Sequence, residues 1–139
     1  MPRSDMFGLL EADMDGRRLL ASIDFSFVGF PKKESFPWFL SLSTALKEAD
    51  SEGLPTNAET AALNHWEDEV ESVLSAAVGF KYIGRVTWSG HRELLYYLAE
   101  PIAPTAALQK MIEARSTRQF TFRCQRDDSW GHVEGYLSA

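Results

Sequence analysis

A helical period passes directly into two strand periods near the middle of this chain, and that succession limits the fold more than any other feature. Leu63, Trp66, Val70, Val73, Leu74 and Ala77 recur at steps of three and four, one apolar stripe of a helix. Thr56 and Glu59 stand ahead of it at capping-box spacing: the Thr hydroxyl accepts from the amide of Glu59, and the Glu carboxylate reaches back to the amide of Thr56. Gly79 is placed to close the helix. Phe80 to Trp88 and His91 to Ala99 then alternate on either side of Ser89-Gly90, the signature of a tight hairpin.

The flanking segments extend the pattern. Met6 to Ala12 reads as a short first strand, and Asp13-Met14-Asp15-Gly16 as a turn. From Arg17 the apolar Leu19, Ala21, Ile23, Phe25 and Phe27 alternate with Arg18, Ser22, Asp24 and Ser26, a half-buried strand. Trp38, Leu40 and Leu42 against Phe39, Ser41 and Ser43 make another. Leu108, Met111 and Ile112 mark a second amphipathic helix, and Phe120, Phe122 and Cys124 a last strand. Asp127 or Asp128 caps a final turn carrying Trp130, Val133 and Leu137. The expected fold is α+β. From Trp38 onward it is a ferredoxin-like βαββαβ core, preceded by an extra N-terminal β-hairpin, with the helices on one face of an antiparallel sheet. A length of 139 residues fits a single domain, residues 1–139.

Composition narrows the function classes. A net charge of −6 disfavours a general nucleic-acid binder. The lone Cys124 cannot form an internal disulfide, which suits a cytoplasmic protein. The start, with acids within a few residues and no long apolar run, does not read as a secretory signal, and no run reaches the length of a membrane span, so no membrane association is expected.

If Ser89-Gly90 is a two-residue turn, Trp88 faces His91, Val86 faces Glu93, Gly84 faces Leu95 and Tyr82 faces Tyr97. Opposite residues point the same way. The expected core side is then Phe80, Tyr82, Val86, Trp88, Leu95, Tyr97 and Ala99. The expected outer side carries Lys81, Ile83, Arg85, Thr87, Arg92, Leu94, Tyr96 and Leu98. Arg123, Arg18 and Phe39 join that open face, opposite a helix rich in Glu59, Glu67, Asp68, Glu69 and Glu71. Arg85, Arg92, Leu94, Tyr96, Leu98 and Arg123 are therefore the candidate docking residues, for an unknown protein partner or a second copy of the chain. Exposed Tyr96 beside Arg85 also gives an alternative, a weak RNA- or anion-binding face.

Chemistry is harder to find. His65, His91 and His132 lie on separate elements, so no metal set is expected; His65 and Glu69, four apart, read as a surface hydrogen bond. There is no nucleophile elbow and no glycine-rich phosphate loop, so no cofactor is expected. Cys124 alternates with Phe120 and Phe122 and reads as a buried, inert thiol. Trp130 either clamps the tail or rims a groove. The enzymatic alternative is a polar site at the hairpin end formed by His91, Arg92 and Glu93, with a partly buried Glu93 as base.

Four segments, FPWFLSLS from Phe36, LPTNAETAALNHWEDEVESVL from Leu54, FKYIGRVTWSGHRELLYYLAEP from Phe80 and FTFRCQRDDSWGHVEGYL from Phe120, together resemble the bacterial domain of unknown function 695 family. The resemblance spans most of the chain and brings no catalytic residues. Some members join this domain to one similar to a ribonuclease E regulator, which implies a binding or regulatory role. The leading expectation is a non-catalytic interaction module using the open sheet face.

Overall fold

The computed structural model describes residues 6–115 and 118–139. The alternating segments pair into one six-stranded sheet in the order β1-β2-β4-β5-β3-β6. Its strands are β1 (Phe7–Met14), β2 (Arg17–Asp24), β3 (Trp38–Ala45), β4 (Phe80–Trp88), β5 (His91–Leu98) and β6 (Thr121–Arg126), and every pairing is antiparallel. Three helices accompany them: α1 (Asn57–Ala77), α2 (Ile102–Glu113) and the short α3 (Gly131–Leu137). The protein is thus α+β.

The hairpin turns are set by backbone chemistry. Asp15 and Gly16 between β1 and β2, and Ser89 and Gly90 between β4 and β5, all take positive φ, the conformation that lets a two-residue connection follow the strand twist. Trp88 opposes His91, Val86 opposes Glu93 and Gly84 opposes Leu95, the pairing expected from the turn. Ile83 is then an extra residue, so Tyr82 opposes Tyr96 rather than Tyr97. This bulge turns Phe80 and Tyr82 to the opposite face from Gly84, Val86 and Trp88.

Both sheet faces are covered, not one. On the first, Leu40 and Leu42 of β3 and Leu94, Tyr96 and Leu98 of β5 pack beneath Leu63, Trp66, Val70 and Leu74 of α1 and Leu108 of α2. On the second, Ala21, Ile23, Phe39, Val86, Leu95 and Tyr97 pack against Trp130 and Val133, with Phe25, Phe27, Phe30 and Phe36 alongside. The expected facing of the central hairpin is therefore reversed in part. Val86, Leu95 and Tyr97 point away from α1 and α2, whereas Leu94, Tyr96 and Leu98 lie under them. Alternation fixes which residues share a face; here both faces are apolar, so it does not say which one receives the helices.

The helix ends also differ from expectation. The Thr56 hydroxyl accepts from the Glu59 amide at 3.3 Å, one half of the capping box. The other half is absent: the Thr56 amide donates to the Glu48 carbonyl, and the Glu59 carboxylate instead accepts from the amides of Lys47 and Glu48 and pairs with Arg118. The helix closes at Val78, whose amide donates to the Leu74 carbonyl, one residue before Gly79. After the second strand, Phe25–Phe27 forms a 3₁₀ turn capped by Asp24, so the alternation does not continue through Phe27. Asp127 caps the tail as expected, accepting from the amides of Gly131 and His132. Trp130 clamps it to the second face, away from α1 and α2: its ring stacks on Tyr97 at 4.2 Å, and its indole nitrogen donates to the Phe36 carbonyl.

Candidate functional site

The apolar stripe of α1 includes a position that holds an acid. Glu67 follows Leu63 by four residues and precedes Val70 by three, so it is carried into the sheet with them. It is only 2% exposed, and a buried carboxylate must find partners. Two arginines reach it. The Nη1 of Arg85, on β4, donates to its two carboxylate oxygens at 3.0 and 3.2 Å, and the Nη1 of Arg92, on β5, donates at 3.3 Å. Arg85 also donates to Asn64 Oδ1 at 3.3 Å. The Nε of Arg92 donates to the Thr87 hydroxyl oxygen at 3.0 Å. Burial, and then Arg85 beside it, works to hold the Arg92 guanidinium below its ordinary pKa, with Glu67 acting against both. The site thus places two cations on one carboxylate. An arginine at such a site remains charged at neutral pH.

Arg85, Thr87 and Arg92 of this cluster form the floor of a cleft of about 420 Å³, with Glu67 beneath them. Helix α1 covers the central strands but not the outer hairpin, and the cleft opens in the step between them. Leu9 of β1, Leu20 and Ser22 of β2, Leu54 and Pro55 of the loop before α1, and Thr60 in the first turn of α1 make its walls. The loop wall is held by the central hairpin: Gly90 donates to the Gly53 carbonyl at 3.0 Å, and Leu46 donates to the Gly90 carbonyl at 2.8 Å. Gly53 has φ +79° and lies so close that a Cβ would stand 2.9 Å from the Gly90 nitrogen. Asp50, the acid on the rim, turns one carboxylate oxygen to the amides of Glu52 and Leu54. Arg85 is about one third exposed, so the cationic floor is open to solvent. Chemically the cleft is fitted to take an anionic group flanked by apolar surface.

The candidate docking residues do not share a surface. Leu94, Tyr96 and Leu98 are fully buried in the core under α1. Arg85 and Arg92 line the cleft. Arg123 lies on the opposite face, exposed. The reason is the helix placement: α1 packs over the side expected to be open, and one of its acids, Glu67, meets Arg85 and Arg92 there rather than standing apart from them. The cleft's other members were missed, although Glu67 within an apolar stripe was a legible signal of a buried charge partner.

The hairpin trio is likewise divided. Strand alternation sends Arg92 to the α1 face and Glu93 to the other, while His91 is exposed with its Nδ1 3.2 Å from the Ser89 carbonyl. Burial raises the pKa of Glu93, opposed by the positive field of Arg123, a hydrogen bond from Ser41 and the neighbouring His132. Burial, then the charge of Glu93, raises that of Tyr136. His132 stacks on Phe39, ring centres 4.6 Å apart. Burial, and then Glu100, raises the pKa of the Cys124 thiol, which suits an unreactive sulfur. Among the described residues, no three His, Cys, Asp or Glu side chains converge as a metal site. His65 and Glu69 lie 3.5 Å apart on the α1 surface.

A family model matches residues 9–138, from β1 through α3, and so takes in every element that builds the cleft. The chain belongs to DUF695, a family of unknown function. No curated protein and no solved structure matches it. The DUF695 match gives the architecture a family but no reaction. Among the described residues, no helix is long and apolar enough to cross a membrane.

Proposed function

We propose that this DUF695 domain is a non-catalytic binding module, and that its docking site is the cleft between α1 and the outer hairpin. The ligand is an acidic segment of a protein partner, a carboxylate beside an apolar side chain. One observation carries this reading: Arg85 and Arg92 share the single carboxylate of Glu67 at the floor of an open, partly apolar cleft. Asp50 on the rim is turned to the amides of Glu52 and Leu54, so a second carboxylate entering at the floor would relieve the sharing of Glu67, and the Ser22 and Thr87 hydroxyls stand beside it as further donors. Leu9, Leu20, Leu54 and Pro55 would cover the apolar flank. The same reading keeps the ferredoxin-like core as its scaffold. The order β4-β5-β3-β6 supports it, with β1 and β2 added at the β4 side to make the cleft's outer wall.

The test uses short peptides of Leu-Glu repeats, with Leu-Gln repeats as the neutral control, titrated while amide resonances are followed. Saturable shifts at Ser22, Thr87 and Arg92 with the glutamate peptide, lost in Arg85→Gln, are expected. Equal response to both peptides, or a site elsewhere, overturns the assignment.

A further inference from the structure

Among the described residues, strand β1 is an edge strand, hydrogen-bonded on one side only. Three of the five large apolar residues exposed in the described chain, Met6, Leu9 and Met14, lie on it or next to it, and Leu9 is 61% exposed. The usual guards against edge pairing are largely missing: β1 contains no Lys or Pro, and its pairing with β2 runs without a bulge. Its charges are Glu11 and Asp13.

The outward-facing backbone can be assigned. The Phe25 amide donates to the Met6 carbonyl at 3.1 Å, and Phe7 opposes Asp24, so Met6 and Phe25 form a hydrogen-bonded pair. Antiparallel pairs alternate, so Gly8, Leu10, Ala12 and Met14 bond to β2. The amides and carbonyls of Phe7, Leu9, Glu11 and Asp13 point outward.

We propose that two copies of the chain associate through β1, antiparallel, in the register centred on Leu10. The sequence selects that register. It sets Leu10 against Leu10 of the second copy, Gly8 against Ala12 and Met6 against Met14 on one face. On the other, Leu9 opposes Glu11 and Phe7 opposes Asp13. Centring on Glu11 would oppose two glutamates, and centring on Ala12 would oppose Glu11 with Asp13; like charges directly opposite repel. Centring on Leu9 would pair only Phe7 to Glu11 within β1, a shorter ladder than the Phe7 to Asp13 of the Leu10 register. In the Leu10 register the two Glu11 side chains are diagonal neighbours, and each is already paired with Arg18 at 2.9 Å. The four outward residues oppose one another, as a hydrogen-bonded ladder requires. Two six-stranded sheets thereby become one continuous sheet, its centre closed against further addition. This association is independent of the cleft's ligand, although Leu9 borders both.

The experiment measures mass in solution over a concentration series, together with amide exchange. The mass is expected to rise from 15.7 kDa toward twice that value. The amides of Phe7, Leu9, Glu11 and Asp13 should gain protection with concentration, while those of Gly8, Leu10 and Ala12 are protected throughout. Glu11→Pro removes one outward donor and no bond to β2, and should weaken the dimer about tenfold or more. Because an edge proline also perturbs local twist, the dilution series on the unaltered protein stands as a separate test. A chain that remains 15.7 kDa throughout overturns the proposal, as does a dimer in which the odd-numbered amides stay unprotected, or one that Glu11→Pro leaves intact.

Discussion

A methyl group on Gly84 would stand 2.2 Å from the Ser22 carbonyl oxygen and 2.9 Å from the Ile23 Cδ1. Glycine is required there because β2 and β4 close together beside the Ile83 bulge, not because of an unusual φ. Gly84→Ala must push the outer hairpin away from the sheet, at a cost of about 1–3 kcal/mol in denaturant unfolding. Gly90→Ala, with open space around its Cβ, meets only the strain of its positive φ and should cost less. If Gly84→Ala unfolds like the parent chain, the close approach does not hold. Glu67 gives a second prediction at this scale. Glu67→Gln keeps the shape but leaves Arg85 and Arg92 without their shared anion, the second of them buried. A loss of about 3 kcal/mol is expected, less than for a wholly buried pair because Arg85 is partly solvated. Added chloride should recover part of that loss if the floor accepts anions, and unchanged stability in both conditions would remove the electrostatic account of the cleft.

At the scale of elements, the first turn of α1 and the central strands respond to pH in opposite directions. Burial works against the Glu59 charge, but Arg118 and the amides of Lys47 and Glu48 outweigh it and hold the carboxyl below its ordinary range. Its contribution is therefore present above the unfolded value of about 4.3 and lost as pH falls through the lower folded value. Glu93 is raised, so its contribution is largest below the unfolded value and declines as pH rises through the folded one. Midpoints of unfolding measured from neutral pH into acid should show this: Glu59→Gln lowers stability at neutral pH and flattens the acid limb, whereas Glu93→Gln removes a decline on the way up. Matching curves for both variants would contradict the two environments. The elements themselves were largely legible, because α1, the β4–β5 turn and the strands announce themselves through period and capping residues. What was not legible has a specific cause. One bulged residue, Ile83, and a second apolar face covered by Trp130 and Val133 leave alternation unable to say where α1 lands. The cleft depends on that landing. Arg85 and Arg92 could be singled out from sequence, but their partner Glu67 could only be assigned once the helix was placed over them.

For the molecule as a whole, the sheet serves as the floor of both cores. Along β5, Leu94, Tyr96 and Leu98 enter the core under α1 and α2, while Leu95 and Tyr97 enter the one closed by α3. Neither core keeps its floor if the other melts, because loosening β5 on one side loosens it on both. The two cores should therefore unfold as one unit, even though α3 has only seven residues. Each core holds a buried tryptophan, Trp66 in the first and Trp130 in the second, so the coupling can be observed directly. Trp130→Ala removes the ring stacked between Tyr97 and Phe30 and should cost about 3–5 kcal/mol. Leu40→Ala, on the other face of β3, should cost about 2–5 kcal/mol. In both variants the tryptophan fluorescence, from Trp38, Trp66 and Trp88 in Trp130→Ala and from all four tryptophans in Leu40→Ala, is expected to move to the lower midpoint with an unchanged denaturant slope, as a single transition demands. A tail that melts first, leaving the fluorescence of Trp38, Trp66 and Trp88 at its original midpoint in Trp130→Ala, would make α3 a detachable clasp and separate the two cores.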